Sequence, residues 1–152
     1  MGGNRCLNGV CGGPVRGDAP PAPRQNPAFV AVWLSRQEAA GNFDVLYDWL
    51  HPDAQAVVPR EAVVGWYQHD FAPRGPEVLN VTGASYFGWI WPVTGNGYPG
   101  AAQVSYRQPF HDGTVVEGDM HLAKDDEGRW RWFFGRDAAF VEEQIRRFAT
   151  PA

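Results

Sequence analysis

A short run of helix-breaking residues, Ala72-Pro73-Arg74-Gly75-Pro76, divides the chain into two halves of different texture. Two prolines and a glycine within five residues end a helix and delay the start of a strand. Before this run, apolar residues recur at helical spacing; after it, long aromatic segments are bounded by turn residues. A block of helices followed by a block of strands predicts an α+β domain.

Three helices are predicted before the division. Asn26-Pro27 supplies an N-cap residue and a proline at the first helical position, and Gly41 ends the helix that begins there. Asn42 caps a second, shorter helix, which His51-Pro52 is expected to end. The apolar spacing predicts a third helix from near Arg60 to Phe71.

The second half predicts an antiparallel meander and a final helix. Strands are expected over 77–92, 102–110, 114–124 and 129–134, followed by a helix over 137–148. Gly83 and Gly88 interrupt the first strand and indicate bulges or sharp bends. Asp112-Gly113 is a strong signal for a two-residue hairpin turn between the second and third strands.

The first 25 residues differ in composition from the rest, so we predict an arm over 1–25 and one domain over 26–149. The arm is rich in glycine, carries Cys6 and Cys11, and ends in the stiff stretch Ala19-Pro20-Pro21-Ala22-Pro23. Two cysteines are too few for a zinc site, and the spacing for haem attachment is absent. A disulfide and an extracytoplasmic, tethered domain are expected, although exposed thiols and a cytoplasmic location remain alternatives. Deleting the arm should leave stability nearly unchanged.

Length and charge exclude several classes of function. The chain has 152 residues, which suits one core, and a net charge of −4, which disfavours nucleic acid as a partner. It contains no apolar run of the roughly 20 residues that span a bilayer, so we expect a water-soluble domain without a transmembrane segment. Histidines and carboxylates are scattered without the spacing of a metal site, and we expect no metal and no cofactor.

The order of elements resembles the nuclear-transport-factor-two-like superfamily. The segment LYDWLHPDAQAVVPREAVVGWY is similar to the small N-terminal domain of penicillin-binding transpeptidases, and HLAKDDEGRWRWFF is similar to the last hairpin of that domain. The resemblance covers about Pro27 to Phe134. The cysteine-bearing arm, the Trp-rich strand and the C-terminal helix depart from the family pattern, and no transpeptidase activity is expected from a chain of this length.

The resemblance implies a cystatin-like cone, in which a strongly curved antiparallel sheet holds the helices in its concave face, here with an extra C-terminal helix. It also implies a homodimer formed by sheet packing. Trp89 and Trp91 share one strand face with Phe87, a pattern typical of a core or of such a dimer interface. Members of the superfamily that isomerise, dehydrate or cyclise their substrates use single Asp, His or Tyr residues in the cone.

The candidate site follows from the expected hairpin register. With a two-residue turn, Gln108 opposes Glu117, Tyr106 opposes Asp119, and one face collects polar and aromatic side chains as a ligand pocket does. Asp119 and His121 are the candidate acid–base pair, with Tyr106 as a hydrogen-bond donor. The candidate binding residues are Trp132, Phe134, Glu117, Gln108, Tyr67 and Trp66. The same alternation of Glu117, Asp119 and His121 is also typical of a strand face exposed to water.

Two functions therefore remain open from the sequence. The first is a non-catalytic module that binds a small apolar or aromatic ligand or packs against partner proteins. The second is a cofactor-free isomerase, dehydratase or cyclase that uses Asp119 and His121. The side to which the acidic face points would distinguish them.

Overall fold

The structure is a computed structural model and describes residues 19–150. Cys6 and Cys11, and with them the predicted disulfide, lie outside this range. The helices are α1 (Pro27–Ala40), α2 (Phe43–Asp48), α3 (Pro52–Val57), α4 (Arg60–Trp66) and α5 (Ala138–Phe148). The strands are β1 (Asn80–Ile90), β2 (Gly97–Pro109), β3 (Val115–Lys124) and β4 (Trp130–Trp132). The predicted α+β class is confirmed.

Helix α1 begins and ends where its capping residues predict. The Asn26 side chain accepts a hydrogen bond from the backbone N–H of Ala28 at 2.8 Å. Gly41 ends the helix in the left-handed conformation, with φ at 79°, which a residue without a Cβ adopts at little cost. The two caps fix the phase of the helix, and therefore the side chains that it buries.

The prediction that His51-Pro52 ends a helix is only half right, because the same pair begins α3. The His51 Nδ1 atom accepts a hydrogen bond from the N–H of Asp53 at 3.1 Å, so the ring caps the helix. Its other nitrogen lies 3.3 Å from the carbonyl of Lys124, and the ring stacks on Phe133 at 5.0 Å. His51 is therefore a buried structural residue and not a loop residue.

The third predicted helix is confirmed in extent but not in geometry. After α4 the chain widens into a π-helical turn, Tyr67–Phe71, and then tightens into a 3₁₀ turn, Ala72–Arg74. Asp70 of the π turn forms a two-pronged ion pair with Arg147 of α5, at 2.6 and 2.9 Å. The C-terminal helix is thus attached to the end of the helical half.

Gly65 of α4 allows α5 to pack closely, which gives the first testable prediction. A Cβ atom at this position would lie 2.3 Å from the Phe148 ring. Alanine normally stabilises a helix by about 1 kcal/mol over glycine, but this contact must be relieved by moving α5, at a cost of about 1–3 kcal/mol. We expect Gly65→Ala to lower the thermal midpoint of unfolding. In a protein that already carries Phe148→Ala, the same substitution should not lower the midpoint further, because the ring that the new Cβ atom meets is absent. A higher midpoint for Gly65→Ala alone would contradict the packing.

The four strands form one antiparallel sheet in the order β1-β2-β3-β4. The pairing of β1 with β2 shifts between Val81 and Gly83 and again between Phe87 and Trp89, so the bulges predicted near Gly83 and Gly88 are confirmed. Strand β2 begins earlier than predicted because Gly97 pairs with Ile90. The sheet's first strand, β1, lies at its edge and is mostly exposed.

The predicted register between β2 and β3 is wrong by one residue. The N–H of Phe110 donates to the carbonyl of Thr114 at 2.9 Å, so the turn contains three residues, His111, Asp112 and Gly113, rather than two. Gly113 has φ at 92°, the conformation that closes a three-residue hairpin loop. Asp112 strengthens this turn because its side chain accepts the N–H of Thr114 at 2.9 Å.

The shift by one residue separates side chains that were expected to share a face. Tyr106 opposes Gly118 rather than Asp119, and Gln108 opposes Val116 rather than Glu117. Across the strands, Ser105 is the partner of Asp119, and Gln103 is the partner of His121. A two-residue turn would also make Val104 oppose His121 and Phe110 oppose Val115. In the structure Val104 opposes Met120, and Phe110 lies opposite Thr114.

The core lies between α1, α2, α4 and the sheet. Its largest fully buried side chains include Trp33, Leu34, Leu46, Val104 and Leu122. Of the four tryptophans for which periodicity predicts burial, Trp33 and Trp132 are buried, whereas Trp49 and Trp66 are partly exposed. Pro21 of the arm is also buried, so deletion through residue 25 removes an apolar contact. Within 19–150, the helices are all too short or too polar to cross a bilayer.

Candidate functional site

A cavity of about 450 Å³ opens between the helices and the sheet. Residues of all four strands and of α1, α2, α4, the π turn and α5 contribute to its wall. About half of the residues that line it are aromatic: Trp66, Tyr67, Phe71, Trp89, Tyr106, Trp132, Phe133, Phe134 and Phe140. A volume of this size lies within the usual range for small-molecule sites.

Glu38 is the acidic group of the cavity on the helical side. It lies one helical turn after Leu34 and two turns after Val30, and so continues the buried stripe of α1. Its carboxylate accepts a hydrogen bond from the Tyr67 hydroxyl at 3.0 Å and from the Gln108 amide at 3.3 Å. Burial raises the pKa of Glu38 to about 7, although both hydrogen bonds favour the ionised form.

Tyr67 and Gln108 are held in place to serve this carboxylate. Tyr67 is the first residue of the π turn and is buried, and its burial and the nearby Glu38 raise its pKa well above the usual value. Gln108 is buried on β2, and its amide also donates to the carbonyl of Glu77 at 3.0 Å. The two donors therefore come from two different elements, the π turn and β2.

Tyr106 lies beside this cluster, and a glycine makes the space that it occupies. A Cβ atom at Gly118, its cross-strand partner, would come within 2.8 Å of the Tyr106 hydroxyl oxygen. The aromatic ring therefore lies across the strand at a position where any larger residue would displace it. Burial raises the pKa of Tyr106, and the charges of Glu38 and Asp119 add to this effect.

Asp119 and His121 also line the cavity, but they bond to different partners. The Ser105 hydroxyl donates to Asp119 at 2.6 Å, and His121 Nε2 lies 2.9 Å from the side-chain oxygen of Gln103. The His121 ring stacks on Trp89 at 4.5 Å with the planes nearly parallel. Burial lowers the pKa of His121, and the charge of Asp119 partly opposes this. The two residues are electrostatic neighbours, each held by its own hydrogen bond.

Tyr106 and Gln108 lie on one face of the sheet and Asp119 and His121 on the other, and the position of β3 explains how all four can line the cavity. Strand β4 pairs only with Leu122, Ala123 and Lys124 within the described residues, so the earlier part of β3 presents an open edge. Three consecutive residues, Asp119, Met120 and His121, line the cavity. Since neighbouring residues of a strand point to opposite faces, this places the cavity at the edge of β3.

The structure brings together eight of the nine candidate site residues. Asp119, His121, Tyr106, Trp132, Phe134, Gln108, Tyr67 and Trp66 all line the cavity. Glu117 does not, because it lies on the exposed face, 4.0 Å from Arg107. The observed register is the reason. It pairs Glu117 with Arg107, so the Glu117 side chain lies on the face of the sheet opposite to that of Gln108.

Glu38 is the site residue that the sequence analysis missed. A signal for it exists, because Val30, Leu34 and Glu38 follow each other at four-residue intervals within α1. A carboxylate that continues a buried helical stripe has to be paired or protonated, which marks it as a functional candidate. Its partners, Tyr67 and Gln108, were both predicted as binding residues.

The second testable prediction concerns Asp119 and His121. Replacing Asp119 with asparagine removes the negative charge that favours the imidazolium, so the pKa of His121 should fall further. NMR titration of the His121 ring protons in both proteins measures this, with His69 on the π turn as an internal reference. An unchanged midpoint would show that water screens the pair completely.

Comparison of the chain with protein-family models gave no match, and comparison with curated proteins gave no significant match.

Proposed function

We propose that this domain binds a small, mainly apolar or aromatic ligand in the cavity between its helices and its sheet. The observation that carries the proposal is a cavity of about 450 Å³ with an aromatic wall and one ionisable carboxyl group fixed by two donors. Apolar walls with few, well-placed polar groups are typical of ligand sites. A ligand would gain affinity from the walls and orientation from Glu38.

The same proposal includes the nuclear-transport-factor-two-like fold and its cystatin-like cone. Three supporting features are the helices that precede the sheet, the antiparallel strand order, and the two bulges of β1, which bend a strand. The resemblance of the sequence motifs supports it independently. In this fold the cone interior is the ligand site, which agrees with the position of the cavity.

The test of binding uses a neutral probe, 4-phenylbutan-1-ol, titrated calorimetrically into the full chain. Met120→Trp places a large side chain at the cavity wall and should weaken binding by about tenfold or more, because the added ring occupies probe volume. The matched control, Val115→Trp, adds the same ring at an exposed position of the same strand and should leave binding unchanged. Absence of binding, or equal loss in both variants, would refute the proposal.

A second candidate function is cofactor-free acid–base catalysis by Asp119 and His121. The observation that favours it is that both line the cavity, close enough for Asp119 to influence the pKa of His121 and of Tyr106. The pair differs from an oriented dyad, because Ser105 and Gln103 take the hydrogen bonds that the two side chains would otherwise exchange. Turnover of a bound ligand that is lost in Asp119→Asn and His121→Gln, with binding retained, would favour this candidate.

Export, tethering and self-association belong to the proposal as well. Export rests on Cys6 and Cys11 and on the proline-rich stretch of the arm. Thiol titration of protein purified without reductant tests it, and two free thiols would argue against an oxidising compartment. Trp91, which a dimer was expected to cover, is fully buried within the domain itself, so self-association rests on the exposed aromatic residues Tyr86 and Phe87 of β1. Sedimentation equilibrium measures it.

A further inference from the structure

We infer that the cavity selects a small organic cation, an amine carried on an apolar or aromatic skeleton, whose ammonium group is bound by the carboxylate of Glu38. This inference rests on the proposed function, since it names the chemical class of the ligand for the same cavity. It is drawn from the arrangement of hydrogen-bond donors, charges and rings around Glu38.

The hydrogen bonds around Glu38 leave acceptor capacity for a cation. A carboxylate has four lone-pair directions, and Tyr67 and Gln108 each fill one of them. Both neighbours are donors, and together they hold the carboxylate in one orientation on the cavity wall. A further donor that enters from the cavity would complete the set, and an ammonium group brings three such donors with a compensating charge.

The charges that face the cavity favour a cation over an anion. The ionisable groups that line it besides Glu38 are Tyr67, Tyr106, Asp119, His121 and Arg136. Asp119 is exposed at the edge of the cavity, in the same outer row of β3 as Glu117, so Glu38 is the acidic group that faces the interior. Burial disfavours the charged form of His121. Arg136 is exposed and already has partners, since it lies 3.9 Å from Asp137 and stacks over Phe140 at 4.5 Å.

The aromatic wall suits the same class of ligand. Trp66 and Trp132 each pack edge-on against Phe134, at 5.7 and 6.3 Å between ring centres. Aromatic faces attract an ammonium group as well as an apolar skeleton, so the wall does not penalise the charge. Glu38 supplies the counter-ion that an apolar wall alone lacks.

Ionisation of Glu38 links the binding of such a ligand to pH. Because the pKa of Glu38 lies at about 7, the group is about half protonated near neutrality. A bound ammonium group favours the carboxylate, so binding should strengthen as pH rises and should release a proton on the acidic side of neutrality. His121 charges at low pH and would also repel a cation, so a Glu38 variant is needed to separate the two groups.

The experiment compares three probes that share one skeleton: 4-phenylbutylamine, 4-phenylbutan-1-ol and 4-phenylbutyrate. At about pH 8.5, where Glu38 is ionised, the amine should bind about tenfold more tightly than the alcohol, and the carboxylate probe should bind least. In Glu38→Gln the amine and the alcohol should bind equally at about pH 8.5, and the amine should keep only the weakening below pH 6.5 that charging of His121 causes. Unchanged affinity for the alcohol shows that the cavity of the variant is intact.

A second variant, Tyr67→Phe, shows whether the result for Glu38→Gln reflects ionisation of the carboxyl group or an indirect change in the cavity. Tyr67→Phe removes a hydrogen bond that favours the ionised carboxyl group, so the midpoint of the pH dependence of amine binding should move to higher pH. Equal binding of amine and alcohol to the wild type, tighter binding of 4-phenylbutyrate, or a pH dependence of amine binding above pH 6.5 that persists in Glu38→Gln would each overturn the inference while leaving a ligand cavity. Absence of binding by all three probes would instead refute the proposed function.

Discussion

Replacing Trp132 with alanine should destabilise the domain by about 3–5 kcal/mol, the cost typical of removing a buried aromatic residue. The Trp132 side chain is 7% exposed and packs against Tyr67 and Phe134. Its indole N–H donates to the carbonyl of Leu46 at 2.8 Å, and its own carbonyl accepts the N–H of His51 at 2.8 Å. The residue thus attaches the short strand β4 to the helices, and its truncation leaves a void and removes the indole hydrogen bond to the Leu46 carbonyl.

Two further variants show which part of this loss comes from burial. Trp132→Phe keeps most of the apolar contact and removes the indole hydrogen bond, so it should cost less than Trp132→Ala. Tyr86→Ala truncates an aromatic residue that is 60% exposed and should cost under about 1 kcal/mol. Denaturant titration measures all three. A loss below about 1 kcal/mol for Trp132→Ala would contradict its place in the core.

The Glu38→Gln variant should gain stability relative to the wild type as pH rises. In the folded protein the pKa of Glu38 is about 7, against a usual value of 4.5, so folding favours the protonated form. The contribution of Glu38 to stability is therefore fully present below about pH 4.5, and up to about 3 kcal/mol is lost as pH rises to neutrality, at 1.36 kcal/mol per pKa unit. Glutamine cannot ionise, and the variant lacks this loss.

The quantity to measure is the difference between the unfolding free energies of the variant and the wild type at several pH values. The difference cancels the titration of groups common to both proteins and isolates Glu38. Tyr67→Phe removes a hydrogen bond to the ionised form, so in that background the difference should be larger at high pH. A difference that stays flat from about pH 4.5 to pH 8 would show that the carboxyl group titrates normally.

Local signals predicted most of the fold. Caps such as Asn26 and Gly41 act within one helical turn, so their effect can be read from adjacent residues. The bulges of β1 have a similarly local cause in Gly83 and Gly88. His51-Pro52 shows the limit of this reasoning, because a proline that ends one helix is equally suited to begin the next. The side chain of His51, which caps the new helix, decides between the two.

The candidate site was predicted less completely because its members meet across the fold. Glu38, Tyr67 and Gln108 lie far apart in the sequence, and only tertiary packing shows that the three share one carboxylate. The error in register came from choosing a two-residue turn at Asp112-Gly113, although a glycine with positive φ also closes a three-residue loop. That single choice placed Glu117 among the binding residues.

The loop of His111, Asp112 and Gly113 has a consequence for how the sequence can change over time. It lies on the surface and its own side chains do not line the cavity, so substitutions that preserve the turn should be tolerated. Changes in the length of the loop should not be tolerated. One residue more or less would shift the register and move every side chain of β3 to the opposite face of the sheet relative to β2. Gly118 would no longer lie under Tyr106. Among relatives that keep this cavity, the length of the loop should therefore vary far less than its composition.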